Sequence, residues 1–204
     1  NWKPELTNTA GFLRVQTGSK IITSISTRQE TLIWTDTSLN SLQYLGTNEV
    51  FSLQQLSAHT SIIGPNAVTG ANNITYWMGN DKFFTYSGRV DTLPCTLRQY
   101  IFQDINRTQG QLVFAGSNVQ FNEIVWFYCS AASNEIDRYV IYNYSENLWY
   151  YGNLVRTAWL DSPLRANPQA ANNGYLYKQE QGTDDDGSPM TAYISSGDVD
   201  IEDG

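Results

Sequence analysis

A single imidazole limits the chemistry open to this chain. His59, in the string "LSAHTSII", is the one histidine, and a Ser-His-Asp or Cys-His arrangement would have to use it. Its surroundings read as the end of a strand, with no nucleophile-elbow signature. His59 is therefore expected to be a polar or interface residue. One histidine also removes most zinc and non-haem iron ligand sets. Carboxylates are plentiful, but Asp81, Asp91, Glu123, Glu135 and Asp137 fall at turns or strand ends, where acids are commonly just solvated. A glycosidase needs two acids across a cleft, and position along the chain does not reveal such a pair.

One acidic string stands out. "TDDDGSPM" (Thr183 to Met190) approaches the Asp-box of some sugar-cleaving propellers, Ser-x-Asp-x-Gly-x-Thr-Trp. It has the acidic turn and Gly187, lacks the final Thr-Trp, and occurs once. Asp184, Asp185 and Asp186 are also hard oxygen ligands close together, although the Gly and Glu of an EF-hand loop are missing. The string reads as a solvated hairpin loop, with a weak cation site as the alternative. Gly-rich phosphate loops are absent. The eight arginines are spread singly, which suits ion pairs or interfaces and not a nucleic-acid groove. No cofactor or metal is expected. Cys95 and Cys129 read as two unpaired thiols, a disulfide being the alternative. The sequons at Asn73, Asn106 and Asn143 read as chance.

The composition narrows the class further. Of 204 residues, 12 are Lys or Arg and 20 are Asp or Glu, for a net charge of -8. Charged residues make up 16% and aromatics 13%, against about 25% charged in an ordinary soluble protein. The chain is too aromatic and too weakly charged for disorder. No apolar run approaches the roughly 18 residues of a membrane span. The acidic balance argues against broad capture of DNA or RNA, which needs clustered Lys and Arg. The chain begins at Asn1 with no initiating Met and no signal peptide, so it reads as a processed piece or as part of something longer.

Strand signals dominate the elements that must position these groups. "KIITSIST" (Lys20 to Thr27), "TLIWTD" (Thr31 to Asp36), "LNSLQYLG" (Leu39 to Gly46) and "VFSLQQLS" (Val50 to Ser57) are short, β-branched or alternating, and separated by polar turns. "NITYWMGNDKFFTYSGR" (Asn73 to Arg89) reads as a hairpin, because Gly79, Asn80 and Asp81 are residues that tolerate positive φ. "NEIVWFYCS" and "DRYVIYNYSENLWYYGN" form a longer version, with Ser145 to Asn147 as the tight turn. "GYLYKQE" (Gly174 to Glu180) and "MTAYISSGDVDI" (Met190 to Ile201) give a fourth, joined by the acidic string. One helix is expected over Pro94 to Asn106, with Leu97, Tyr100, Ile101 and Ile105 on one face and Pro94 in the first turn.

Aligning one aromatic per unit places anchors at Trp34, Trp77, Trp126 and Tyr177, with separations of 43, 49 and 51 residues. Such a period, with about four strands per unit, is the sign of a β-propeller. The expected class is all-β: a propeller or partial propeller of about four antiparallel units near 20–57, 67–93, 111–160 and 168–204, in one domain over 1–204. An ordinary β-sandwich is the alternative. Large aromatics at strand centres usually pack between sheets, so Trp34, Trp77, Trp126, Trp149 and Tyr177 are candidate core or contact residues.

The stretch from Gln55 to Cys95 resembles the signature segment of a propeller family of tailed phages. The matching residues are Ile63, Gly64, Pro65, Ala67 and Val68, then Tyr76, Trp77, Gly79, Phe83, Tyr86 and Gly88. "NEIVWFY", "RYVIYNYSENLWYYG" and "RTAW" are similar to later parts of the same proteins, so the resemblance covers roughly Ile21 to Gly204. The family is the tail hub or nozzle of short-tailed bacteriophages, of the packaged-DNA stabilisation type. Its full members are longer, which makes this chain comparable to their C-terminal portion. The resemblance implies a virion structural protein with no enzymatic activity, located in the tail and assembled in the bacterial host cytoplasm. It implies a homo-oligomeric ring of six copies beneath a portal or adaptor protein, sealing the DNA exit and carrying tail fibres or spikes. Packaged DNA would pass without specific binding. An acidic surface fits, because it repels phosphate. Asp184, Asp185, Asp186, Asp198, Asp200, Glu202 and Asp203 are offered as lumen or interface acids, a solvated tail being the alternative. The rival readings are a lectin-like carbohydrate-binding propeller, with Trp77 or Trp149 stacking on sugars, and a glycoside hydrolase.

Overall fold

The computed structural model describes residues 3–5, 8, 10–47, 50–185 and 187–189, with only the backbone described at 185. The chain is all-β with one short α-helix. Four antiparallel meanders follow one another, every strand pairing with its neighbour in sequence. The first sheet holds β1 (Ile21–Ser26), β2 (Glu30–Thr35), β3 (Leu39–Tyr44) and β4 (Phe51–Ser57). The second holds β5 (Val68–Ala71), β6 (Ile74–Met78), β7 (Phe83–Tyr86) and β8 (Val90–Leu93). The helix α1 (Arg98–Asp104) and a 3-10 helix (Arg107–Leu112) precede the third sheet. That sheet holds β9 (Phe114–Asn118), β10 (Glu123–Tyr128), β11 (Arg138–Asn143) and β12 (Leu148–Asn153). The fourth holds β13 (Ala158–Leu160), β14 (Gln169–Asn172) and β15 (Tyr175–Lys178), followed by a small hairpin of β16 (Asp184–Asp185) and β17 (Ser188–Pro189). Nothing among the described residues closes the sheets into a ring. No helix among them is long and apolar enough to cross a membrane.

The turns follow local chemistry, though not always where expected. Asn72 and Asn73 both take positive φ between β5 and β6, as do Asn173 and Gly174 between β14 and β15, the pattern of a two-residue type I′ turn. Gly79, Asn80 and Asp81, which tolerate positive φ, do not take it, and Gly79 has another role. It is needed for space, because a Cβ there would stand 2.7 Å from the Phe84 ring and 3.2 Å from the Ser61 carbonyl. The Asn173-Gly174 turn also changes the fourth unit. β15 pairs with β14, and the Met190 to Ile201 stretch lies outside the described residues. The fourth sheet opens at Ala158, within the span assigned to the third unit. The helix starts at Arg98 with Leu97 as its N-cap, so Pro94 precedes it and is not in its first turn. Ile101 and Ile105 are buried as expected. Tyr100 is exposed and meets Tyr151 of β12 at 4.6 Å between ring centroids.

The core is a chain of aromatic rings running through the sheets. Trp34 on β2, Trp77 on β6 and Trp126 on β10 each sit on the second strand of a sheet, with no exposed surface. Trp34 meets Trp77 edge-on at 5.3 Å, and Trp77 stacks on Phe84 at 5.3 Å. Phe83 contacts both Trp126 and Trp149 at 4.8 Å. Such offset and edge contacts add to simple burial. Tyr177 departs from the series. It lies on the third strand of its sheet, opposite Ala170, and is half-buried beneath the Arg156 guanidinium, 4.5 Å from its ring.

Indole N–H groups tie neighbouring units together. Trp126 Nε1 donates to the Ala67 carbonyl (3.2 Å), Trp149 Nε1 to that of Pro94 (3.0 Å) and Trp159 Nε1 to that of Ser117 (2.8 Å). Trp159 covers Gly116, where a Cβ would approach its ring to 2.3 Å. The first strands of successive sheets lie side by side, β5 against β9 and β9 against β13. A parallel bridge between Asn66 and Phe114 adds to the first of these contacts.

Candidate functional site

The groups first considered for catalysis are dispersed. His59 is exposed in the bend after β4. Asp91 pairs with Arg89 (2.7 Å) and Asp81 with Arg98 (3.2 Å), both at the surface. Asp137 accepts hydrogen bonds from the Ser130 amide and hydroxyl, each at 2.7 Å. Glu135 is exposed. Glu123 alone among them approaches a second carboxylate, that of Glu180. Both cysteines are free thiols. Burial raises each to about 11, reinforced at Cys129 by Asp137 and Glu135 and opposed at Cys95 by a backbone hydrogen bond and Arg98. Reactive thiols have lowered values, so neither is an activated nucleophile.

The acidic string is partly visible. Asp184 is exposed, and its carboxylate accepts from the Gly187 amide at 3.3 Å. Asp185 lies in β16. Asp186, Asp198, Asp200, Glu202 and Asp203 lie outside the described residues. No group of three His, Cys, Asp or Glu side chains able to hold a metal exists among the described residues.

Two inter-sheet clefts do bring polar groups together. The larger, 710 Å³, opens between the first and second sheets beside the β1–β2 turn and the Asn72-Asn73 turn. At its base sits Glu30. Its carboxylate accepts from Tyr86 (2.5 Å), Gln43 (3.2 Å) and Ser41, so it joins β3 of one sheet to β7 of the next. Burial alone would raise this carboxyl, but the three donors outweigh burial and hold it below its ordinary value. Burial and then the Glu30 carboxylate push the Tyr86 phenol up. A general acid or base works best near the operating pH. Both groups are shifted away from neutrality, so the cluster is a structural tie.

The tie has a testable pH signature. A depressed carboxyl adds stability that is present above the unfolded value, near pH 4.3, and lost as pH falls through the folded one. Wild type should therefore melt higher than Glu30→Gln at neutral pH, with the gap shrinking in acid. Melting curves across pH would show this; a gap independent of pH would rule out a charged Glu30 as the source.

The smaller cleft, 130 Å³, lies between the third and fourth sheets and holds Asn118, Glu123 and Glu180 against Phe127, Tyr139 and Trp159. Neither cleft was legible beforehand. Glu30 sat in a polar gap between strands, and Glu180 at the end of a strand string. Their partners lie 56 and 62 residues away, beyond the reach of periodicity.

Large apolar side chains are exposed on outer strands. Phe51 of β4 stands beside Tyr44 with ring centroids 5.6 Å apart. Leu148, Tyr150 and Tyr151 lie on β12, and Tyr175 (71% exposed) and Leu176 on β15; Leu160 of β13 and Leu164 are exposed as well. Trp77, weighed as a sugar platform, is fully buried and unavailable. Trp149 is half-buried among Phe83, Trp126 and Tyr142.

No protein-family model matches this chain, and no curated protein matches it.

Proposed function

We propose that this chain is a structural subunit of a phage virion, a tail hub or nozzle component that works by assembly and performs no catalysis. The observation that carries this reading is the apolar dressing of the outer strands β4, β12 and β15. Edge strands of a free-standing protein are usually blunted by charge, proline or a covering element. Here they carry Phe51, Leu148, Tyr150, Tyr175 and Leu176 in the open, and tyrosine and other aromatics are enriched at protein contacts. Large exposed apolar patches mark interaction sites. The occupant proposed is a second copy of the chain, in a ring of about six beneath a portal or adaptor, with fibres or spikes attached. The net charge of -8 suits a channel that DNA crosses without being held. The resemblance at Ile63 to Gly88 adds the phage context.

Sedimentation of the purified chain tests the reading. A concentration-dependent ring is expected, shifting to monomer in Leu148→Ser/Tyr150→Ser with the circular dichroism spectrum unchanged. A chain monomeric at every concentration, which binds oligosaccharide saturably in the cleft above Glu30, would overturn the structural reading in favour of a carbohydrate-binding one. That cleft lies within the usual range of ligand sites, about 300–1,000 Å³.

A further inference from the structure

We infer that the open edge of β15 is completed by the segment ahead of β1 of a second copy, which adds to it as a fourth strand. The inference rests on the assembly reading and names the contact by which one copy holds the next.

The acceptor is an unfinished sheet. The first three sheets have four strands each and the fourth has three, with β15 paired on one side only among the described residues. Bonded and non-bonded pairs alternate along an antiparallel ladder, and the pair flanking a two-residue turn is bonded. That pair is Asn172 and Tyr175. Tyr175 and Tyr177 therefore direct their backbone groups at β14, while Leu176 and Lys178 turn theirs outward. The far edge of β14 keeps the same phase, the Thr157 amide donating to the Ala171 carbonyl at 2.8 Å. An outward row of amides and carbonyls is a template for another strand. Tyr175 and Leu176 add an exposed apolar side chain on each face of it.

The donor is a strand-like segment with no sheet of its own. Residues 10–16 have no secondary structure, although Phe12, Leu13 and Val15 suit a strand. Phe12 is 87% exposed and Leu13 52%, so two large apolar side chains stand in water. The segment is fastened to the first sheet at Thr17. The Thr17 carbonyl accepts from the Ser38 hydroxyl at 3.2 Å, and the Thr17 hydroxyl donates to Gln55.

Three observations select a second copy as the occupant. Successive sheets pack in a row, Trp34 on Trp77, β5 beside β9 and β9 beside β13. The segment leaves from the first sheet of that row and the open edge belongs to the fourth. Within one molecule the two are not joined, since Phe12, Leu13, Tyr175 and Leu176 all remain exposed. Charge is complementary as well. Residues 10–20 hold Arg14 and Lys20 and no acid, whereas residues 175–185 hold Glu180, Asp184 and Asp185 against Lys178. Opposite charge steers partners together and fixes their register. A contact from the first sheet of one copy to the fourth of the next is heterologous, the kind that repeats into a ring when its rotation closes. Strand addition of this kind draws affinity from main-chain hydrogen bonds and selectivity from alternate side chains.

Hydrogen exchange, read amide by amide on the wild-type chain below and above its assembly concentration, provides the test. The Leu176 and Lys178 amides should exchange freely in dilute solution and slow at least about tenfold on assembly. Amides of residues 12–16 should slow with them, while Tyr177, already bonded to β14, changes little. Phe12→Asp/Leu13→Asp should raise the concentration of half-assembly at least about tenfold and abolish the protection, with the melting temperature of the dilute monomer unchanged. Assembly that leaves Leu176 and Lys178 unprotected, or that is indifferent to Phe12→Asp/Leu13→Asp, overturns this contact and leaves the assembly reading standing on β4 and β12. Protection equal at every concentration means that the edge is covered within the chain, and overturns the contact too. A chain that stays monomeric at every concentration overturns both readings.

Discussion

Trp126→Ala is expected to destabilise the fold by about 3–5 kcal/mol, the range for removing a fully buried aromatic. Three losses coincide at this position. The indole has no exposed surface, so its whole transfer energy is forfeited. The cavity left behind borders Phe83 at 4.8 Å and Trp149 at 6.1 Å, rings too rigid to collapse into it. The Nε1 hydrogen bond to Ala67 also disappears, leaving that carbonyl with the Met78 amide as its remaining donor. Chemical denaturation should show a much lower midpoint. Trp149→Ala, at a half-buried ring, should cost clearly less. Equal losses at the two positions would mean that Trp126 is not the keystone of the second-to-third sheet junction. Phe at 126 should recover the packing and not the hydrogen bond, so it should fall between alanine and wild type.

Gly64→Ala is expected to cost as much as the larger overpacking changes, at or above the upper end of about 1–3 kcal/mol. A Cβ on Gly64 would stand 2.2 Å from the Gly110 carbonyl oxygen and 3.1 Å from its carbon. Both are backbone atoms in the 3-10 helix, so no flexible side chain can move aside. The contact is reciprocal: a Cβ on Gly110 would meet the Ile63 carbonyl at 2.9 Å. Forcing the two segments apart disturbs the adjoining Ala115 to Asn66 hydrogen bond of 2.8 Å and the seat of Trp126. The two changes share one junction, so a double variant should lose less than the sum of the singles. Gly11→Ala, with nothing within 4 Å of its added carbon, serves as the neutral control. Matching melting temperatures for Gly64→Ala and Gly11→Ala would show that the two backbones are not in contact.

Much of the architecture was legible because burial leaves a period in the sequence. Trp34, Trp77 and Trp126 mark the second strand of three sheets because each unit repeats the same inside-facing position. The fourth anchor slipped because that position holds Ala170, whose small side chain carries no signal, and Tyr177 on the next strand took its place. Ala170 stands 44 residues after Trp126, closer to the earlier spacings than Tyr177. The Asn173-Gly174 turn was the local cue to that register. Gly64 and Gly79 could be read as glycines but not as close approaches, because their partners come from other segments. The polar clusters were illegible for the same reason. Glu30 meets Tyr86, and Asn118 meets Glu180, across sheet boundaries that no local pattern encodes.

The sequential pairing of every strand has a consequence for how the molecule is made. Each sheet draws all its ladder hydrogen bonds from one contiguous stretch, so it can complete its pairing while the next stretch is still being synthesised. Loop closure within such a meander is short and entropically inexpensive. The slow events are then the dockings: Trp34 against Trp77, Trp126 beneath the Ala67 carbonyl, Trp159 over Gly116. They occur in the order in which the ribosome releases the chain, each new sheet adding to a surface already formed.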